Sequence, residues 1–474
     1  MRNFTRIAIA AAVTATLAAC AVGPDYHAPA TGTPAAFATS DAIYAGSEPE
    51  VGAFWTGFND ATLDQLVDDA LKSNHDLRIA LANLRQSRAL RLQSELNLAP
   101  TITAQGGYTH QQYPPAEAFG STTVLDERYY SAGFDATWEL DLFGRVRRGA
   151  EAARAEVGES EATLRDAQVS VTAEVARTYF ELRGVQSELA VTRRNVENQH
   201  STLQLADSQL AAGRGTELDT ARAQAQLQTT LGAIPPLEAA AARDIHRLSV
   251  LTGRQPEALH DVLVTPGDLP DLPRLTAVGD PAGLLRRRPD IRVAERHLAA
   301  STARIGVAVG DLFPKVTFDG NFGYAAGNLG ALGASGTRTF LIGPSISWAA
   351  LDLGRVEARI RGAHAQTDAD LARYQQTVLG ALEETENALV THARARDRLE
   401  HLQQAADQSA AAARIARARF EGGLVGFIDV LDAERTQLSA EDQLAQSRTD
   451  TATSLIAVYK ALGGAWQQAP LPGA

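Results

Sequence analysis

Four stretches of the chain alternate between apolar and polar positions, one of them more weakly, and a much longer stretch beats every seven residues. In residues 131–141, Ala132, Phe134, Ala136, Trp138 and Leu140 oppose Ser131, Gly133, Asp135, Thr137, Glu139 and Asp141. Residues 101–109 alternate more weakly, with Ile102, Ala104 and Tyr108 on one face. Val316, Phe318, Phe322 and Tyr324 oppose Lys315, Thr317, Asp319 and Asn321, and Phe340, Ile342, Ile346 and Trp348 oppose Thr339, Ser345 and Ser347. A period of two predicts strands with one apolar face, each near the ~10 residues that a tilted membrane strand needs. A half-buried hairpin in water has the same alternation. Aromatic residues at the strand ends and acids on the opposite face favour lipid on one side and water on the other. The intervening loops, 114–127 and 326–338, are rich in Pro, Gly and Ser.

The seven-residue beat runs through Val175, Leu182, Leu189, Val196, Leu203 and Leu210, interleaved with Leu164, Val171, Thr178 and Val185. It predicts a coiled-coil type of helix, and from Gly144 to Ala212 no proline interrupts it. At 1.5 Å per residue such a helix spans roughly 100 Å. Gly213, Arg214 and Gly215 break it, and a second helix returns from Glu217 to Leu251, interrupted at Pro235-Pro236. The later counterpart runs from Arg355 to Phe420, turns at Gly422-Gly423 and returns from Ile428 to Leu462. Gly144 and Gly354 each follow a strand and open a long helix. Upstream, residues 54–98 read as one helix, with Leu63, Leu66, Val67, Ala70 and Leu71 at helical spacing, ended by Pro100.

These parallels are an internal repeat. Asp76/Asp290, Arg78/Arg292, Ala80/Ala294, Leu84/Leu298 and Pro100/Pro314 pair at a constant separation (290 − 76 = 314 − 100 = 214). Trp138/Trp348, Gly144/Gly354, Gly213/Gly423 and Asp219/Asp429 pair at a separation of 210 (348 − 138). The unit is far longer than a solenoid repeat and points to duplication of a half-molecule. The expected organisation is a signal at 1–19, an extended segment at 20–55, a first repeat at 56–265, a linker at 266–281, a second repeat at 282–464 and a tail at 465–474. The fold class is α+β, with four strands per chain on long paired helices.

Composition narrows the partners. Of 474 residues only one is Cys, so no intrachain disulfide forms, and the net charge of −12 argues against nucleic acid, whose phosphates need a basic surface. The lone thiol sits in an informative place. A basic start at residues 1–6 precedes a short apolar run at 7–16, followed by Leu17-Ala18-Ala19-Cys20. The apolar run is too short to span a bilayer and reads as a cleaved signal. Leu-Ala-Ala-Cys resembles a bacterial lipobox, which makes Cys20 the expected lipidated first residue. Ala21, rather than Asp, favours outer-membrane delivery. Several acyl chains anchor stably where one binds marginally.

No catalytic constellation, phosphate loop or metal-ligand spacing is present in the sequence, so neither an enzyme nor a cofactor is expected. Two charged clusters stand out. Arg286-Arg287-Arg288-Pro289-Asp290 reads better as a helix start with solvated charges than as an anion site. Asp429 and Asp432, just after the Gly422-Gly423 turn, share one helix face. Asp432 has no acidic twin, since its first-repeat equivalent is Arg222.

The segment from Leu17-Ala-Ala-Cys20 through Val22-Gly-Pro-Asp-Tyr26, Phe54-Trp55 with Phe58, Arg287-Arg-Pro-Asp290 with Ala294-Glu-Arg296, Phe313-Pro314, and Gly423 with Asp429-Val-Leu-Asp432 together resemble the TolC/OprM-type outer-membrane efflux factors, in the lipoprotein branch often called NodT-like. The resemblance covers nearly the whole mature chain. It implies a homotrimer in which each chain gives four strands to one β-barrel and its helices to a periplasmic α-barrel. It also implies a passive exit duct fed by a periplasmic adaptor and an inner-membrane pump of the resistance–nodulation–division type. By the same resemblance, Gly213, Arg214, Gly215, Gly422 and Gly423 form the adaptor-contact tips, and Asp429 and Asp432 line the periplasmic aperture. TolC itself has an Arg in its aperture lock where this chain has Val425. A type I protein secretion duct and a structural periplasmic coiled-coil lipoprotein are the alternatives.

Overall fold

The computed structural model describes residues 21–30, 32, 34–38, 52–113, 125–273 and 277–464. Cys20, the signal segment, most of the loop after residue 113 and the C-terminal tail lie outside the described residues. A short 3₁₀ turn (Phe54–Phe58) leads into α1 (Ala61–Ser73), α2 (His75–Leu96), β1 (Thr101–Tyr113), β2 (Leu125–Glu139), α3 (Arg145–Ala211) and α4 (Glu217–Leu251). The chain continues through α5 (His260–Leu263), α6 (Pro281–Arg287), α7 (Pro289–Gly310), β3 (Lys315–Ala326), β4 (Arg338–Ser347), α8 (Leu353–Glu421) and α9 (Phe427–Ala461). Among the described residues no helix is long and apolar enough to cross a membrane.

The chain divides into two compact units, and each draws on both repeats. The first contains Asn83–Glu161 and Val293–Gln375 with the N-terminal residues up to Ala30. Its centre is an antiparallel sheet in the order β1-β2-β3-β4. In the central register Ala104 faces Phe134, Phe134 faces Phe322, and Phe322 faces Phe340. One sheet face is therefore apolar, and it is open: Phe134, Phe322 and Phe340 are 57%, 49% and 69% exposed. The other face is polar and internally bonded. Asn321 and Gln105 both donate to Asp135, and Ser345 donates to Asp319 over 2.7 Å. The alternation read from the sequence is thus the alternation of the sheet. β1 and β2 run further than it suggested, because His110↔Arg128 and Gln111↔Glu127 pair through the backbone where both faces are polar. The base of the sheet repeats itself. Trp138 Nε1 donates to the Leu98 carbonyl (2.9 Å), Trp348 Nε1 to that of Leu312 (3.0 Å), and Phe143 stacks on Phe313 at 4.5 Å.

The second unit holds Thr31–Ala82, Ala162–Arg292 and Gln376–Ala474. Its core collects the early aromatics of the chain. Phe54 stacks on Tyr459 at 4.9 Å, Phe58 meets Phe180 edge-on at 4.8 Å, and Leu63, Leu182, Leu248, Leu284, Leu389 and Leu455 are fully buried around them. Asp60 caps α1 by accepting from Thr62 and Leu63, and Tyr179 donates to its other oxygen at 2.7 Å. Burial pushes the Tyr179 hydroxyl up to about 12.

Two helix expectations are corrected here. The single helix expected over 54–98 is three pieces. Asn74 leaves the helical region, and its side chain accepts from Asp76 and Leu77 to cap α2 while donating to the Leu251 carbonyl. Apolar spacing cannot register such a break, because the new helix keeps the same buried side. The interruption expected at Pro235-Pro236 does not occur: α4 is continuous over 35 residues, the length of its twin α9. The two prolines lie on the exposed side of α4, so the carbonyls they leave without amide partners can bond to water.

Candidate functional site

The two interhelical turns have one geometry, imposed by one glycine each. Gly213 and Gly423 both adopt φ 72°, a left-handed conformation that a Cβ disfavours. The amide of Gly213 donates to Leu210 and that of Arg214 to Gln209; Gly423 and Leu424 repeat this with Phe420 and Arg419. Each helix end is thus closed by a Schellman motif. The next helix starts the same way in both copies. Asp219 accepts from the Thr216 amide, and Asp429 accepts from the Gly426 amide at 2.9 Å. The turns lie side by side. Arg214, Gly215 and Asp219 face Gly422, Gly423 and Val425 across a cleft of about 570 Å³. Ala206, Ala223, Phe427 and Leu431 form the apolar floor that holds the two hairpins together. Asp429 and Asp432 both remain exposed on α9.

Gly144 and Gly354 are not equivalent, contrary to the sequence expectation. Gly144 has φ 79° and precedes α3, whereas Gly354 is already inside α8 without a positive φ. The difference comes from Asp141, itself at φ 41°, whose carboxylate accepts from the Val146 and Arg147 amides and caps α3. The position 210 residues on is Leu351, which cannot cap.

Between turns and core, the buried side of α3 becomes polar. Thr192, Asn195, Gln199 and Thr202 are its enclosed residues, at alternating spacings of three and four. The heptad positions Val196 and Leu203 only flank them. Arg417 donates to Thr202 Oγ1 and to Glu434 Oε1, both at 2.6 Å, tying α3 to α8 and α9. Sequence reasoning missed this network, because a seam of Thr, Asn and Gln carries no hydrophobic signal. The three-four spacing was its only trace.

Nearby, Glu188 of α3 faces Asp442 of α9, with Gln446 donating to both. Burial first, and then the Asp442 carboxyl, push Glu188 up to about 7 from its ordinary 4.5. The folded form therefore keeps a proton that the unfolded chain has lost. The pair's contribution is complete below pH 4.5 and is lost as pH rises through about 7. His392, which accepts or donates with Ser454 at 3.0 Å, is pushed down to about 4 by burial and Arg396, so its contribution is lost as pH falls from 6.5 towards 4. Glu188→Gln is expected to stabilise the protein at pH 8, where the folded carboxyl would have to ionise beside Asp442, and to change little at pH 5. Thermal melts at the two pH values test this, and an equal shift at both would overturn it.

In the arginine cluster before α7, Arg286 is exposed, as expected of a solvated charge, but Arg288 is not. Arg288 is 9% exposed and forks onto Asp290 (3.1 and 2.7 Å), Glu384 (2.6 Å) and the Ala461 carbonyl (2.8 Å). It therefore ties the start of α7 to α8 and to the end of α9.

A family model described as outer membrane efflux protein matches residues 66–254 and 281–464. The chain belongs to this family. Outer membrane protein OprJ of Pseudomonas aeruginosa is 30% identical over 460 residues, covering 96% of this chain and 94% of that one. Nodulation protein T of Rhizobium leguminosarum bv. trifolii is 28% identical over 456 residues, covering 95% of each. Among solved structures, the outer-membrane channel OprN superposes with a TM-score of 0.89 at 44% identity, covering 94% of this chain and 100% of that chain. The open state of the Neisseria gonorrhoeae MtrE outer membrane channel gives 0.83 at 27% identity, covering 95% and 99%. The fold of this outer membrane efflux protein is that of these channels.

Proposed function

We propose that three copies of this protein close one pore and serve as the exit duct of a tripartite pump, passing drugs or other small solutes delivered by a periplasmic adaptor and an inner-membrane transporter of the resistance–nodulation–division type. The observation that carries this reading is the four-stranded sheet, apolar on one face and polar on the other. Four strands are too few to enclose a pore, and open strand edges in lipid leave backbone groups with no water to bond. Three such sheets supply a twelve-stranded wall, with Asp135 and Asp319 turned to its water-filled side. The turns around Gly213 and Gly423 are then the tips offered to the adaptor. The duct performs no chemistry of its own. Names among its relatives, such as the solvent efflux pump outer membrane protein SrpC of Pseudomonas putida, support small solutes as cargo. Reconstitution in planar bilayers tests the reading: trimers that conduct are expected, and stable conducting monomers would refute it. Cys20 carries the lipid anchor in this proposal, and an unmodified mature peptide spanning Ala19-Cys20 by mass spectrometry would remove it.

Asp429 and Asp432, repeated three times around one axis, would set six carboxylates at the periplasmic mouth, making it cation-preferring and subject to block by trivalent cations. Asp429 also serves the Gly426 amide, so charge and capping must be separated. Asp429→Asn with Asp432→Asn keeps an acceptor for the cap and removes the charge. The expected result is weaker cation selectivity and loss of trivalent block, whereas unchanged recordings would leave Asp429 only its capping role.

A further inference from the structure

The segment after Cys20 is seated in a groove of the first unit that has no counterpart in the other repeat. Val22 donates its amide to the Phe143 carbonyl at 3.1 Å. Arg148 of α3, 4% exposed, reads the same segment from below: Nε donates to the Val22 carbonyl (3.1 Å), and Nη2 donates to the Gly23 carbonyl (3.2 Å) and Asp25 Oδ1 (2.8 Å). Its Nη1 is anchored by Glu151 at 2.8 Å. Further along, Tyr26 donates to Glu295 of α7 at 2.6 Å, and its ring lies 5.7 Å beneath the Arg296 guanidinium. The segment thus bridges α3 of the first repeat and α7 of the second.

Three glycines make room for it. Gly23 has φ 92°, and a Cβ there would run into the Gly306 backbone. A Cβ on Gly306 would come within 2.9 Å of the Val22 carbonyl, and one on Gly144 within 2.7 Å of Ala21 Cα. The duplicated positions keep only a glycine at Gly354, the twin of Gly144, and without its positive φ. Leu92 stands at the place of Gly306 (306 − 214) and is exposed, and Ala358 stands at that of Arg148 (148 + 210). The asymmetry marks a receptor for one peptide.

We propose that this groove is a docking site for the chain's own residues 21–26, and that the docked strap is a clip between the two repeats whose seating gates assembly of the channel. Arg148 acts here as a positioning residue.

The test uses mature full-length protein with Gly23→Val or, separately, Arg148→Gln. Gly23→Val leaves every helix residue unchanged and acts only where the strap meets Gly306 of α7. Chymotryptic cleavage after Tyr26 is followed by mass spectrometry, and the appearance of heat-resistant oligomer is followed in parallel. Cleavage about tenfold faster and assembly about tenfold slower are expected in both variants, the weight of one or two charge-assisted hydrogen bonds. A synthetic peptide of residues 21–30 should restore assembly of Gly23→Val but not of Arg148→Gln, which lacks the reader. Wild-type cleavage rates in both variants, or equal rescue of both, would overturn the proposal. The protease measurement is independent of the proposed duct and only the assembly measurement rests on it, so the two failures are distinguishable.

Discussion

Arg288→Ala is expected to cost about 3–5 kcal/mol, the range for breaking a buried ion network by removing one partner. The substitution takes a donor from Asp290, Glu384 and the Ala461 carbonyl at once, since all three accept from the one guanidinium. Asp166 adds to the burden. Burial and the Asp290 charge already push its carboxyl up, and Arg288 is the first of the cations that offset them. Lysine should recover only part of the loss, because an ammonium cannot reproduce the fork onto two carboxylates and a carbonyl. Thermal or denaturant unfolding of Arg288→Ala, Arg288→Lys and Arg288→Met checks the order. A loss below about 1 kcal/mol in Arg288→Ala would show that solvent reaches the network and that the clamp is weak.

Phe322→Arg is expected to prevent stable insertion, whereas Asn321→Arg, one residue away, should be tolerated. Phe322 lies at the centre of the apolar face between Phe134 and Phe340; in the proposed duct that face meets lipid, where a cation near the bilayer midplane costs about 2–4 kcal/mol per copy. Asn321 points to the other face, where its side chain already donates to Asp135, so an arginine there meets a carboxylate and water. The heat resistance of outer-membrane fractions carrying each variant tests the contrast. Equal behaviour of the two would mean that the faces are assigned the wrong way round or that the sheet does not meet lipid.

The strands and hairpins were legible because each rests on a local rule. A period of two on one open face and a glycine at a left-handed turn are written residue by residue, and the duplication let each be read twice. The polar stretch of α3 was not legible. Among its buried residues, Asn195 is met by Glu441, and Thr202 by Glu434 and Arg417, all from the other repeat. The role of Arg288 was hidden for the same reason. Its partners Glu384 and Ala461 lie 96 and 173 residues away.

The sequence by itself determined the duplicated plan, the four amphipathic strands, the two long hairpins and the positions of their turns, because periodicity and glycine conformation act within a few residues. Only the tertiary structure decided which repeated positions remain equivalent. Gly213 and Gly423 kept one geometry because each turn is closed by its own backbone. Gly144 and Gly354 diverged because one depends on the Asp141 cap and the strap above it, and the other has neither. Contacts made at a distance are not copied when a sequence is duplicated, since each copy folds against different neighbours.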